Sequence, residues 1–396
     1  MRRRVGRPTR VVGLLFGLAI AAPVLTACFG APSSPPPPPA SPSYASQYCA
    51  PSTPSTPAAY QDAFDEMRRA GVEWAAADGG HPVTLPDNRT LWLYGDTFTG
   101  RIQPDGSLAP GWGFVHNSFI VQDGACFRPL MGGAANARAD LIPAPSGEWY
   151  WPTRGVVEGN VLRVFLYHMT TGNNPGPFNF RLLDMRIATF TLPGLQRVDI
   201  KAIPGGILTG DGNEWGASAF ADASTSTVYV YANGPGRDRR VARVPVGQLT
   251  TGPWQFYNGG ITGTDADWST KADDARSLTF VGDDPAHLLP TGITEPWDSL
   301  NVVRDPGGAG YLAVGKLGEK LSDPLTSTEI SKWTAAAPQG PWHYDGAVAQ
   351  ATVSAPQYTY GATTKSGNAS IGLYSTNGGD IASNVFLYGV KFVPLA

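Results

Sequence analysis

Trp74-Ala-Ala-Ala-Asp78-Gly-Gly and Thr90-Leu-Trp-Leu-Tyr-Gly-Asp96-Thr-Phe-Thr-Gly100, separated by a turn at Pro86-Asp87-Asn88, read as two neighbouring strands that each present a carboxylate. The first strand opens on an aromatic residue and is otherwise small; the second is strongly apolar. That pairing recurs down the chain. Trp151-Pro-Thr-Arg-Gly155 precedes Val161–Tyr167, and Trp215-Gly-Ala-Ser-Ala219 precedes Thr227–Tyr231. Trp297-Asp-Ser-Leu-Asn301 precedes Tyr311–Val314, and Tyr358-Thr-Tyr-Gly-Ala362 precedes Ile371–Tyr374. The leading aromatics lie 77, 64, 82 and 61 residues apart. These spacings exceed the ~40–45 residues of a WD blade and suit elaborated four-stranded blades.

The pattern predicts an all-β fold, a five-bladed β-propeller over residues 58–396, with a pair of β-sandwiches as the rival. Radial repetition leaves only short, protected sheet edges. Small residues on each first strand suit the crowded centre, and the larger second strands fill the layers between sheets. Helical periodicity is confined to Tyr60–Ala70, where Phe64 and Met67 share a face.

The N-terminus reads as an address. Five Arg within residues 2–10 precede an apolar run, Val11–Val24, and then Leu25-Thr-Ala-Cys28. This is expected to be a lipoprotein signal, residues 1–27, with Cys28 lipidated and the protein exported to the outer face of the membrane. Residues 28–57, rich in Pro, Ser and Ala, are expected to be a semi-extended tether. Loss of the leader would take the formal charge from −3 to −8, because it removes five Arg and no acid. An acidic chain without a basic run has little to hold nucleic acid. Cys49 and Cys126 are expected to pair in an oxidising compartment. A monomer is expected.

A Gly-x-Ser-x-Gly elbow, a P-loop, a dinucleotide fingerprint and zinc spacing are all missing from the sequence, and no cofactor or metal is implied. Asp265-Ala-Asp267-Trp-Ser269 starts like a calcium loop, but Thr270 stands where Gly is needed and Arg276 where Glu is.

Paired carboxylates at strand ends suit glycoside hydrolysis, in which one protonates the leaving oxygen and the other attacks or activates water. Asp78 and Asp96 are therefore the candidate catalytic pair, with Glu214 and Glu295 as spare carboxylates. The repeated first strands would bring Asp78, Arg154, Ser218, Asp298 and Tyr360 to a central funnel, with Trp151, Trp215 and Trp297 around its mouth. Aromatic faces suit sugar rings, although a repeated Trp equally suits packing, and Arg154 with Asp298 equally suits an ion pair. His116-Asn117 supplies further hydrogen-bonding groups for a substrate.

The Leu-Trp-Leu-Tyr-Gly-Asp-Thr-Phe string with Asp78 upstream resembles exported actinobacterial proteins described as domain of unknown function 4185. Trp151-Pro-Thr-Arg-Gly, Ala242–Val246, Gly340-Pro-Trp342, Tyr374-Ser-Thr-Asn and Phe386–Phe392 extend the likeness over roughly residues 70–395. That group is similar to glycoside hydrolase family 183. The resemblance implies a five-bladed propeller that cuts internal linkages of D-arabinan, with Asp78 and Asp96 as nucleophile and acid/base in unassigned order. D-arabinan, as in arabinogalactan and lipoarabinomannan, would then be the partner. A non-catalytic propeller that binds wall polysaccharide is the alternative.

Overall fold

The computed structural model describes residues 42–173, 179–204, 213–234, 238–282, 300–308, 310–317, 328–353, 357–365 and 368–396, all within one compact unit, Ala40–Ala396. Cys28, Glu295, Trp297 and Asp298 lie outside the described residues.

Five sheets follow one another along the chain. The innermost strand of each packs against the innermost strands of its two neighbours: Trp74–Thr84, Glu148–Glu158, Glu214–Asp222, Asn301–Arg304 and Tyr358–Lys365. These strands close a ring, since the last of them packs against the first. Polar side chains clasp every junction. Arg154 Nη1 hydrogen-bonds His81 Nδ1 between the first two sheets. The Thr153 hydroxyl donates to Gly216 O at 2.8 Å, and Val302 N donates to Ser218 Oγ at 3.0 Å. Asn301 Nδ2 donates to Thr364 Oγ1 at 3.1 Å, and Gly79 N donates to Ser375 Oγ at 3.0 Å. Burial of these groups is tolerated because each finds a partner.

The expected count of five four-stranded blades is corrected. The first four sheets have eight, four, five and five strands and form four full blades; the last has three, Tyr358–Lys365, Asn368–Asn377 and Gly389–Pro394. A helix occupies the place of its missing outer strand. This helix, α1 (Pro57–Arg69), starts at Thr56, whose hydroxyl accepts from Ala59 N at 3.2 Å, with Pro57 in the first turn. Tyr60, Ala63, Phe64 and Met67 recur every three or four residues and form its buried face. Tyr60 and Phe64 stack on Phe392 at 5.3 and 5.4 Å. Gln61 Oε1 accepts the outward N–H of Phe392 at 3.3 Å, so the edge strand is both covered and hydrogen-bonded.

The end of the stretch expected to be tether is folded. Ser43–Tyr44 and Tyr48–Cys49 pair with Cys126–Ala134 at the outer edge of the first sheet, and Pro57 already belongs to α1. Cys49 and Cys126 are joined by a disulfide across 77 residues, worth about 4 kcal/mol in the chain-entropy model. No helix among the described residues is long and apolar enough to cross a membrane.

Candidate active site

A break in the first sheet creates the site. Along Thr90–Thr99, residues Thr90–Tyr94 pair with Ser118–Gln122, and Thr97–Thr99 pair with Gly113–Val115. Gly95-Asp96 and His116-Asn117 are left facing each other between the two ladders. On the opposite side, the register with Trp74–Thr84 slips between Ala77 and Gly79, so Asp78 alone stands opposite both Gly95 and Asp96, and the extra residue of this bulge lies on Thr90–Thr99. Gly79 and Gly80 take φ of +88° and +64°, which a side chain would resist. Bulges commonly re-aim a side chain beside an active site. Here the bulge sets Asp78 opposite Gly95-Asp96, and both acids line a cavity of about 850 Å³, within the ordinary range for a ligand pocket.

The two acids have opposite surroundings. Asp78 is half-buried, and the Tyr360 hydroxyl donates to its Oδ2. Burial and the nearby Asp96 charge push its carboxyl up to about 7, against the pull of hydrogen bonds from Tyr360 and Tyr388. Asp96 Oδ1 receives the Trp151 indole N–H at 2.7 Å and meets His116 Nδ1 at 2.8 Å. Burial works against a charge on His116, but the hydrogen bond and charge of Asp96 and the charge of Asp140 outweigh it, and its pKa is raised. Asp140 Oδ1 also accepts the His116 backbone N–H at 2.7 Å, fixing the residue in place. The His116 ring and an indole N–H thus converge on one carboxylate oxygen.

Gly95 has a steric role. A Cβ there would meet Asp78 Oδ1 at 2.9 Å and Trp151 Cδ1 at 3.7 Å. Gly95→Ala is therefore expected to displace the Asp78 carboxylate and lower kcat by about 10²-fold, the scale of an ångström-sized misplacement. Steady-state kinetics beside a thermal melt check this; wild-type kcat in a folded variant would refute it.

A third carboxylate faces the same cavity from the third sheet. Glu214 Oε2 accepts from the Tyr167 hydroxyl at 3.1 Å and from Asn233 Nδ2 at 3.3 Å. Across the floor, Arg154 bonds His81, whose pKa falls well below its ordinary value because of burial and then the Arg154 charge. A neutral His81 accepts a hydrogen bond from this guanidinium.

Asp78, Asp96, His116, Trp151, Arg154 and Tyr360 all line the cavity. Two other sequence candidates do not. Trp215 is fully buried in an apolar cluster against Trp254 (6.2 Å) and Phe256 (5.3 Å), so it packs and does not meet a substrate. Asn117 is also fully buried. Its Nδ2 donates to Ile142 O and Tyr150 O, and its Oδ1 accepts from Ile142 N, so it brackets the first sheet to the second with no group to spare. Ser218 is the clasp described above.

Sequence reasoning missed Trp149, Tyr388 and His81. Trp149 stands two residues before Trp151 on the same strand face, a signal that was available. Tyr388, whose hydroxyl lies 3.1 Å from Asp96 O, comes from 292 residues away and gave no signal. Among the described residues, no group of three or more His, Cys, Asp or Glu is placed to hold a metal ion. Asp267 is buried and accepts from Thr262 and Gly263 within its own loop.

The sequence profile of a family described as "Domain of unknown function (DUF5005)" matches residues 60–378. This overturns the expected kinship with the domain 4185 proteins and glycoside hydrolase family 183. The Leu-Trp-Leu-Tyr-Gly-Asp-Thr-Phe string with Asp78 upstream, which carried that likeness, therefore does not by itself mark that family. No curated protein matches the sequence. The crystal structure of a candidate hydrolase from Bacteroides ovatus superposes with a TM-score of 0.60 at 15% identity, covering 83% of this chain and 88% of its own. A GH43_1 enzyme from Xanthomonas citri, solved with xylotriose, gives 0.44 at 13% identity, covering 81% and 87%. The GH43 BlXynB protein from Bacillus licheniformis gives 0.44 at 12%, covering 88% of this chain and 54% of its own. At such identities the likeness is one of fold, an all-β propeller.

Proposed function

The chain belongs to the DUF5005 family, and we propose that it is a glycoside hydrolase in which Asp78 is the general acid and Asp96 the charged partner that attacks or activates water. The observation that carries this reading is the contrast between two carboxylates in one cavity. Desolvation and its neighbour's charge keep a proton on Asp78 up to about pH 7, while Asp96 is met by His116 and the Trp151 N–H. Divergent environments for paired acids are the usual basis for dividing acid and base roles.

The remaining groups support this division. Tyr360 and Tyr388 hold Asp78 in position, and Trp151 and His116 hold Asp96. Aromatic and apolar walls, including Trp149, Phe180 and Met169, supply faces for sugar rings beside carboxylates that bind hydroxyls. D-arabinan as the polymer rested on a kinship that does not hold, so it enters as one substrate to test among several.

Product analysis on soluble arabinogalactan, arabinoxylan and linear arabinan tests the reading. Oligosaccharides from the wild type, and none from Asp78→Asn or Asp96→Asn, are expected. Products that persist in Asp78→Asn would transfer the acid role to Glu214. Absence of products from folded wild type on every glycan, together with retained glycan binding, would make the propeller a binding module.

A further inference from the structure

Ring contacts continue past the cavity's lining, which includes His116, Trp149 and Trp151. From Asp96 they pass from the second sheet to the first. Trp151, which donates to Asp96, lies 5.9 Å from Trp149. Trp149 stacks nearly parallel on His116 at 4.7 Å and 17°. Phe114 meets His116 edge-on at 5.2 Å. Phe98 then joins Phe114 at 5.2 Å and Trp112 at 5.7 Å. Trp112 and Phe114 are each 43% exposed, and among the described residues they are the exposed large hydrophobics that are aromatic.

Their exposure is built in. Trp112 and Phe114 are two residues apart and so share one face, while the next residue, Val115, is buried. The segment Gly113–Val115 is paired with Thr97–Thr99, which immediately follows Asp96, so the rings are presented by a hydrogen-bonded strand. Together, Trp112 and Phe114 leave a paired aromatic surface open to solvent.

We propose that the rings ending at Trp112 and Phe114 form an extended subsite, and that the occupant is a glycan chain running out of the cavity, so that the enzyme acts on polymer and not on single terminal sugars. This rests on the glycosidase reading of the acid pair. Two features favour a glycan over a protein partner. The file is continuous with the acids through His116, as a chain cut at Asp96 requires. It is also narrow: two rings bury at most about 300–500 Å² even when fully covered, whereas a stable protein interface takes about 800 Å² per partner. A narrow run of exposed rings matches a sugar chain, which offers apolar C–H faces edged by hydroxyls.

The test uses binding without turnover. The Asp78→Asn/Asp96→Asn protein is run in native gels containing soluble arabinogalactan or arabinoxylan. Retardation is expected in at least one gel. Adding Trp112→Ala and Phe114→Ala should weaken the apparent affinity about tenfold, the order of two lost ring contacts. Trp112→Ala alone should give part of the loss, and Trp112→Tyr should restore most of it. Matching thermal melts establish that these variants are folded. Retardation that is unchanged by the ring substitutions, or no retardation in either gel, overturns the subsite. Wild-type hydrolysis is read separately. Ring-dependent binding without hydrolysis would keep the glycan track and remove the catalytic reading; hydrolysis with ring-independent binding would do the reverse.

Discussion

Asp78→Asn is expected to lower kcat on a cleaved glycan by about 10²–10⁴-fold, the contribution of a positioned general acid. The loss should shrink on an aryl glycoside whose leaving group needs no proton. Asp96→Asn should cost at least about 10⁴-fold on both substrates, because the attacking group is removed whatever departs. Equal losses for Asp78→Asn on both substrates would reverse or void the assignment. The pH profile gives a second reading. Asp78 is raised from 3.8 to about 7, so the protonated, competent form is lost as pH rises through about 7. Wild-type activity should fall across that range, and residual Asp78→Asn activity should not. Stability follows with the same sign. Between about pH 4 and 7 the folded protein holds a proton that the unfolded chain has released, so wild-type stability falls as pH rises. Asp78→Asn should flatten that slope and be the more stable protein above pH 7, a gain bought with activity. Urea titrations at pH 5 and 8 measure it, and a variant that loses stability equally at both would count against the buried acid.

Trp215→Ala should cost about 3–5 kcal/mol of stability, as for other buried aromatic truncations. The indole is fully buried between the second and third sheets, against Trp254 and Phe256, and its Nε1 makes no hydrogen bond. Trp215→Phe therefore forfeits volume but no polar contact, and should cost a fraction of the alanine value. Well below its melting temperature, Trp215→Phe should keep wild-type kcat/KM. Denaturant midpoints at constant m separate these outcomes. An alanine variant of native stability that binds glycan poorly would instead return Trp215 to the cavity.

Trp215 also shows where the sequence stopped being informative. An aromatic at the head of each inner strand marks the repeat equally well whether its ring faces the funnel or the layer between sheets. Trp151 and Trp215 occupy matching positions, yet one donates to Asp96 and the other is core. Polar residues on inner strands were similarly ambiguous, because junctions between sheets need clasps as much as a substrate needs ligands. Ser218 and Asn117 clasp, whereas Tyr360 reaches Asp78. That the two acids lie on neighbouring strands was legible because a short turn joins those strands; their expected place at strand ends was not met, since Asp78 and Asp96 lie inside Trp74–Thr84 and Thr90–Thr99. Gly79-Gly80 foreshadowed irregular pairing around Asp78, but not that Gly95 and Asp96 would both stand opposite it. Tyr388 was invisible because only ring closure brings it to Asp96. The amphipathic pattern of α1 said that one face is buried, and nothing about which strand would bury it.

That helix imposes an order in time. Part of its apolar face meets Trp92 and Phe127, which follow it soon in the chain, but Phe392 lies 331 residues beyond Gln61. At the usual pace of synthesis, the socket for Phe392 stays empty on the order of tens of seconds after α1 has emerged. The early sheets can assemble during that interval, yet the ring cannot close until the last strand arrives. A nascent chain of this protein would therefore leave the sides of Tyr60 and Phe64 that stack on Phe392 uncovered until Gly389–Pro394 is made, and a truncation that removes Phe392 would keep them so.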